Sequence, residues 1–102
     1  MDLEVLSVPG CPSAGAFTER LSVALAGYVG VVVHHRVIDD ELEAAEAGMR
    51  GSPTLLIDGT DPFEGPDRFP GLSCRLYRDA AGRAGGAPPV QALRQVLARA
   101  RP

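Results

Sequence analysis

Two cysteines carry the most reactive side chains in this sequence. Cys11 follows Pro9 and Gly10 and directly precedes Pro12, a residue type favoured at the first position of a helix. At a helix N-terminus the backbone N–H groups are unpaired and the helix dipole is positive. Both effects favour a thiolate, the form of cysteine that attacks disulfides and binds soft metals. We therefore expect Cys11 to be the reactive thiol, partly exposed at the helix N-terminus and faster to alkylate than Cys74 at neutral pH.

The second cysteine, Cys74, lies in the segment Ser-Cys-Arg-Leu-Tyr at 73–77. On a strand, Cys74 and Leu76 would share one face, and the favoured prediction buries both in the core, because free cysteine behaves as a small hydrophobic residue. The alternative makes Cys74 a thiol that resolves a Cys11 intermediate. The fourth strand should begin at the end of the sheet remote from Cys11. The long loop before it has the reach to return, but burial of Cys74 beside Leu76 opposes this, so we predict that the two sulfurs are unbonded at rest. We also predict that an external thiol resolves Cys11.

Other polar side chains give no convincing site. His34 and His35 are adjacent on a predicted strand, so their side chains point to opposite faces, and at most one could join two thiolates around a metal. The acidic run 39–41 is typical of a helix start rather than of a hydrolase site. The acidic residues between 58 and 67 do not match a calcium-binding loop. We predict no metal site and no cofactor.

Composition favours one soluble domain covering 1–102, since 102 residues are enough for a single core. The net charge of −3 gives no electrostatic footprint for nucleic acid, and no apolar run approaches the ~20 residues that span a bilayer. The N-terminal Met-Asp-Leu-Glu lacks the basic region of a signal peptide. These features predict a cytoplasmic protein, with cysteines that are free or redox-active. They do not predict an oligomeric state.

Hydrophobic periodicity predicts strands at 3–8, 29–38, 54–57 and 75–79, and helices at 12–26 and 89–100. A further helix, capped by Asp39 or Asp40, is expected to end at Gly48 or Gly51. The resulting order, β-α-β-α-β-β-α, indicates an α/β fold with a four-stranded mixed sheet, in which parallel strands joined by helices come first and a hairpin comes last. A Gly/Pro-rich loop is expected at about 58–73, and long loops of this kind are often functional. The predicted core consists of Leu6, Val8, Phe17, Leu21, Val33, Leu42, Leu55, Ile57, Leu76, Leu93 and Leu97.

Three short motifs follow one another along the chain: Cys-Pro-Ser-Ala at 11–14, Gly-Ser-Pro-Thr at 51–54 and Gly-Ala-Pro-Pro at 86–89. Together they resemble the thioredoxin-like superfamily over nearly the whole chain. The resemblance implies a strand order 2-1-3-4 with helices on both faces, Cys11 as nucleophile and a cis peptide bond before Pro53. It also implies that Pro12, Ser52 and Pro53 bind substrate, with extended substrates pairing with the Ser52 backbone beside Cys11.

The sequence departs from that family at Ala14, where dithiol members carry a second cysteine. The resemblance therefore implies a monothiol redox protein, possessing an oxidoreductase activity only if Cys11 has kept its chemistry. Its substrate would be a thiol or disulfide, on a protein or a small molecule. The alternative is a non-enzymatic module that binds a protein partner or a soft metal, such as mercury, copper(I) or zinc, through Cys11 and Cys74. The segment around Cys74 is faintly similar to a cysteine segment of organomercurial lyases.

Overall fold

A computed structural model of the chain describes residues 1–63 and 69–100. Strands and helices alternate through the first half, as predicted, and short strands follow in the second half. The elements are β1 (Asp2–Ser7), α1 (Ala14–Ala24), β2 (Val32–Val37), α2 (Glu41–Ala47), β3 (Arg50–Ser52), β4 (Thr54–Ile57), β5 (Gly71–Cys74), β6 (Tyr77–Arg78), β7 (Ala84–Gly85) and α3 (Val90–Ala100).

A three-stranded mixed sheet in the order β2-β1-β4 forms the centre of the fold. β1 runs parallel to β2, with Asp2 opposite Val32, and antiparallel to β4, with Leu3 opposite Ile57. The parallel first pair and the central position of β1 agree with the prediction. Because successive side chains on a strand alternate, β1 directs Leu3 to one face of this sheet and Leu6 to the other.

Helices cover both faces of the sheet, as predicted. The apolar stripes of α1 and α3 pack on the first face, and α2 with the residues that flank it packs on the second. The first core contains Leu3, Val5, Phe17, Leu21, Leu55, Ile57, Leu93, Val96 and Leu97, and the second contains Leu6, Ile38, Ala44, Met49 and Leu56.

The predicted fourth strand at 75–79 does not form as one element. Of the described strands, only β6 lies within 75–79, and it forms a separate hairpin with β7. β5 lies before it, in the last residues of the predicted loop from Gly71, and runs parallel to β3 with Ser52 opposite Cys74. The expected hairpin of the third and fourth strands is therefore replaced by these two separate pairings in the described residues. The middle of that loop, 64–68, lies outside the described residues.

Most of the predicted core is buried, but two leucines are not. Leu42 is 69% exposed and Leu76 is 54% exposed, whereas Val8 and Val33 are half-buried. In α2 the buried residue is Ala44, so the inward face is rotated from the predicted one. Around Leu76 the strand phase is reversed, since Arg75 and Tyr77 point inward instead.

Two local predictions are confirmed. Asp40 caps α2, because its carboxylate accepts the N–H groups of Leu42 at 2.7 Å and Glu43 at 3.1 Å. The Ser52–Pro53 peptide bond is cis. None of the helices in the described residues is long and apolar enough to cross a membrane.

Candidate thiol site

Cys11 lies in a tight turn directly after β1. Its backbone N–H donates to the Val8 carbonyl at 3.2 Å, and Gly10 supplies a left-handed conformation with φ of +68°. The side chain of Cys11 is partly exposed, as predicted, and the neighbouring Pro12 is exposed. The turn therefore presents the thiol at the end of the central strand rather than burying it.

The first helix begins later than the sequence indicated. α1 starts at Ala14 with Ser13 as its N-cap residue, so Cys11 precedes the cap by two residues instead of lying beside the first helical position. The Ser13 hydroxyl makes no capping hydrogen bond. It lies against Gly86 instead, so closely that a Cβ added at Gly86 would overlap the hydroxyl oxygen. The Cys-Pro-Ser-Ala and Gly-Ala-Pro-Pro motifs are therefore in contact through these two residues.

A side chain of α1 strengthens this contact. Arg20 donates from Nη1 to the carbonyl of Ala87 at 3.0 Å and to that of Pro88 at 3.3 Å. Hydrogen bonds from a charged donor are stronger than those between neutral groups. The turn that precedes α3 is thus fastened to the helix that follows Cys11.

Ser52 joins the Gly-Ser-Pro-Thr motif to the same region. It is buried, and its hydroxyl accepts the backbone N–H of Val8 at 3.0 Å. Its carbonyl accepts the backbone N–H of Arg75 at 3.0 Å. The Ser52 carbonyl, part of the backbone that was expected to pair with substrate, thus pairs with Arg75 of the same chain. Pro53, the other proposed substrate contact, is also buried.

Cys74 is exposed and lies opposite Ser52 in the register of β5 on β3. Both predictions about its surroundings are wrong: it is not in the core, and its strand does not begin at the remote end of the sheet. The reason is that β5 pairs in parallel with the strand preceding Pro53. Both cysteines are free, which confirms that they are unbonded at rest.

A buried group of polar side chains, Thr54, Asp61, Arg75 and Tyr77, fixes the chain directly after Cys74. We name these four residues the polar corner. Arg75 is 2% exposed, and its Nη1 donates to Asp61 Oδ2 at 2.6 Å and to Thr54 Oγ1 at 3.3 Å. Its Nη2 donates to the Phe63 carbonyl at 2.9 Å. A buried guanidinium with these partners holds the strand in one register.

Tyr77 links the polar corner to the second motif and to the first core. Its hydroxyl donates to the Pro53 carbonyl, and its ring lies 5.8 Å from that of Phe17 and 5.3 Å from that of Phe63. The Arg75 guanidinium lies 4.9 Å from the centre of the Tyr77 ring. Sequence reasoning missed this group. The available signal was Arg75, which lies between Cys74 and Leu76. Alternation alone is equally consistent with Arg75 facing the core and with Cys74 and Leu76 facing it.

The two histidines lie on β2, at the edge of the central sheet. His34 and His35 are both exposed on β2. Within residues 1–63 and 69–100 there is no group of three or more His, Cys, Asp or Glu side chains arranged to hold a metal ion.

Comparisons with protein families, with curated proteins and with solved structures find no match for this chain.

Proposed function

We propose that this chain is a thiol–disulfide redox protein of thioredoxin-like architecture in which Cys11 is the attacking thiol. The observation that carries the proposal is the meeting of three separate motifs around the Cys11 turn. Ser52 accepts the Val8 N–H at the base of that turn, and Gly86 packs on Ser13 at its end. Residues so far apart in the chain are brought together around one partly exposed thiol.

The arrangement supports nucleophilic chemistry at sulfur. Since the Ser13 hydroxyl packs against Gly86 and does not cap α1, the first N–H groups of the helix have no side-chain cap. The Ala14 N–H donates to the Cys11 carbonyl at 3.3 Å, which holds Cys11 before the positive end of the helix dipole, where an anion is stabilised. A Cys11 thiolate attacks one sulfur of a disulfide, forms a mixed disulfide with it, and releases the other sulfur as a thiolate.

The test is thiol–disulfide exchange between the reduced protein and a disulfide substrate made from a short cysteine peptide. We expect the wild type and Cys74→Ser to react at least ~10-fold faster than a free thiol, because Cys11 remains in both. Cys11→Ser should lose this advantage. A Cys11→Ser variant that exchanges as fast as the wild type would contradict the proposal. In that event, binding of mercury(II) that needs both cysteines would support the metal-binding alternative.

A further inference from the structure

The parallel pairing of β5 with β3 brings the second cysteine to the motif that lies beside the first. Cys74 is opposite Ser52, and the Ser52 hydroxyl holds the N–H of Val8, whose carbonyl in turn holds the N–H of Cys11. The Cys11 turn and the Cys74 strand are therefore attached to the same buried residue. The exposed Cys74 also borders an open groove of about 270 Å³, shared with Arg50 and Phe69.

The chain from β5 to Arg75 occupies the backbone carbonyls at β3 with which an added substrate strand would otherwise pair. Arg75 donates its N–H to the Ser52 carbonyl at 3.0 Å, and Gly71 donates to the Met49 carbonyl at 3.1 Å. Gly51 permits this close approach, since a Cβ there would lie 2.9 Å from Arg75 Cβ and 3.1 Å from the Ser73 carbonyl oxygen. An extended substrate recognised at Ser52 would thus compete with a strand that carries its own thiol.

We propose that Cys74 is the resolving thiol of Cys11, in place of the external thiol expected from the sequence. This inference rests on the function proposed above, since it requires a mixed disulfide at Cys11. In the first step the Cys11 thiolate attacks a substrate disulfide, and one substrate thiolate leaves. In the second step the Cys74 thiolate attacks the Cys11 sulfur, the Cys11–Cys74 bond forms, and the second substrate thiolate leaves. The substrate disulfide gains two electrons, and the two protein thiols lose them.

The polar corner gives this role a structural basis. Arg75 follows Cys74 directly, and its bonds to Asp61 and to the Phe63 carbonyl fix its position. Its backbone bond to Ser52 then holds Cys74 in register. The pairing of β5 with β3 shifts register just before Cys74, so a thiol moved to the preceding exposed position, Ser73, would no longer lie opposite Ser52. Position 73 therefore offers a matched control.

The experiment uses dithiobis(nitrobenzoate), an aryl disulfide that releases a coloured thiolate, added in less than equimolar amount to the reduced full-length protein. Colour reports each thiolate released, and non-reducing peptide mapping identifies the product. The wild type should release both thiolates of each probe molecule and yield a Cys11–Cys74 disulfide. Cys74→Ser should release one thiolate and retain the aryl adduct on Cys11. Its second release should be at least about 100-fold slower, because the step is no longer intramolecular.

The double variant Ser73→Cys/Cys74→Ser keeps the number of thiols and moves one of them by a single residue. It should behave as Cys74→Ser does. Three results would overturn the inference: an adduct on wild-type Cys11 that persists as long as in Cys74→Ser, a disulfide between two protein molecules, or equally fast resolution by the double variant. Failure of Cys74→Ser to take any adduct on Cys11 would instead reject the proposed function itself.

Discussion

The inner strands of the central sheet, β1 and β4, and the polar corner both carry buried side chains, but of opposite kinds. In the β2-β1-β4 sheet the inward positions hold aliphatic residues such as Leu3 and Leu55, each 0% exposed. In the polar corner they hold Arg75 and Asp61, which are 2% and 6% exposed. Apolar burial is stabilising by itself, whereas a buried charge requires a partner in the right position. The contrast shows why one region follows from residue type alone and the other does not.

Removing one partner of the buried ion pair should have the largest effect on stability. Asp61→Ala leaves the Arg75 guanidinium buried without its carboxylate, so we expect the free energy of unfolding to fall by about 3–5 kcal/mol. Urea denaturation measures this free energy of unfolding. Glu46→Ala, at an exposed position of α2, is the control and should change it by no more than about 0.5 kcal/mol. A loss below ~1 kcal/mol for Asp61→Ala would mean that the pair behaves as a surface ion pair.

Two leucine truncations, one in the central sheet and one beside the polar corner, test which strand side chains face the core. Leu55→Ala in β4 should lower the free energy of unfolding by about 2–5 kcal/mol, since it opens a cavity in the first core. Leu76→Ala should cost no more than about 0.5 kcal/mol, because its side chain is largely exposed. The same urea titrations compare them. Equal losses would show that Leu76 is a core residue and that the strand has the phase expected from hydrophobicity.

Glycine replacements test how closely β5 approaches β3. Gly51 and Gly48 both have positive φ, +98° and +80°, so alanine at either position meets a backbone penalty of about 1–2 kcal/mol. Only at Gly51 does an added Cβ also meet Arg75 and Ser73, whereas nothing lies within 4 Å at Gly48. Thermal unfolding should show Gly51→Ala to be less stable than Gly48→Ala by roughly 1 kcal/mol. Indistinguishable variants would mean that β5 is not held against β3.

Hydrophobic alternation was sufficient to predict β1 and β4, because burial of apolar side chains decides their orientation. Residue type predicted a cap for α2 at Asp39 or Asp40, and Asp40 supplies it. The helices on both faces and the cis bond before Pro53 were implied by the resemblance that the three motifs carry. The same reasoning from alternation failed for Cys74 and Leu76, which it placed in the core. Their orientation depends on Arg75, and nothing local reveals that Asp61, fourteen positions earlier in the chain, is its partner. A contact between distant residues decides the phase there, so residue types within the strand could not.

That the motifs meet was more predictable from the sequence than how they are arranged. Cys11, Ser52 and Pro53 belong to motifs that do meet, and Cys11 is partly exposed as expected. The parallel pairing that brings Cys74 opposite Ser52 was not foreseen, since a hairpin was the expected connection. Pairing between short strands leaves little trace in local sequence, because a two- or three-residue ladder has no periodicity to detect.

The most direct test of the account is the rate at which iodoacetamide alkylates each cysteine of the wild-type protein at neutral pH. Site-resolved mass spectrometry measures the two rates. Exposure alone predicts that Cys74 reacts faster, because Cys74 is exposed and Cys11 is only partly so. Our account predicts the opposite order, with Cys11 at least ~10-fold faster, since thiolate character and not exposure controls the rate. A Cys11 that reacts no faster than Cys74 would contradict its role as the attacking thiol.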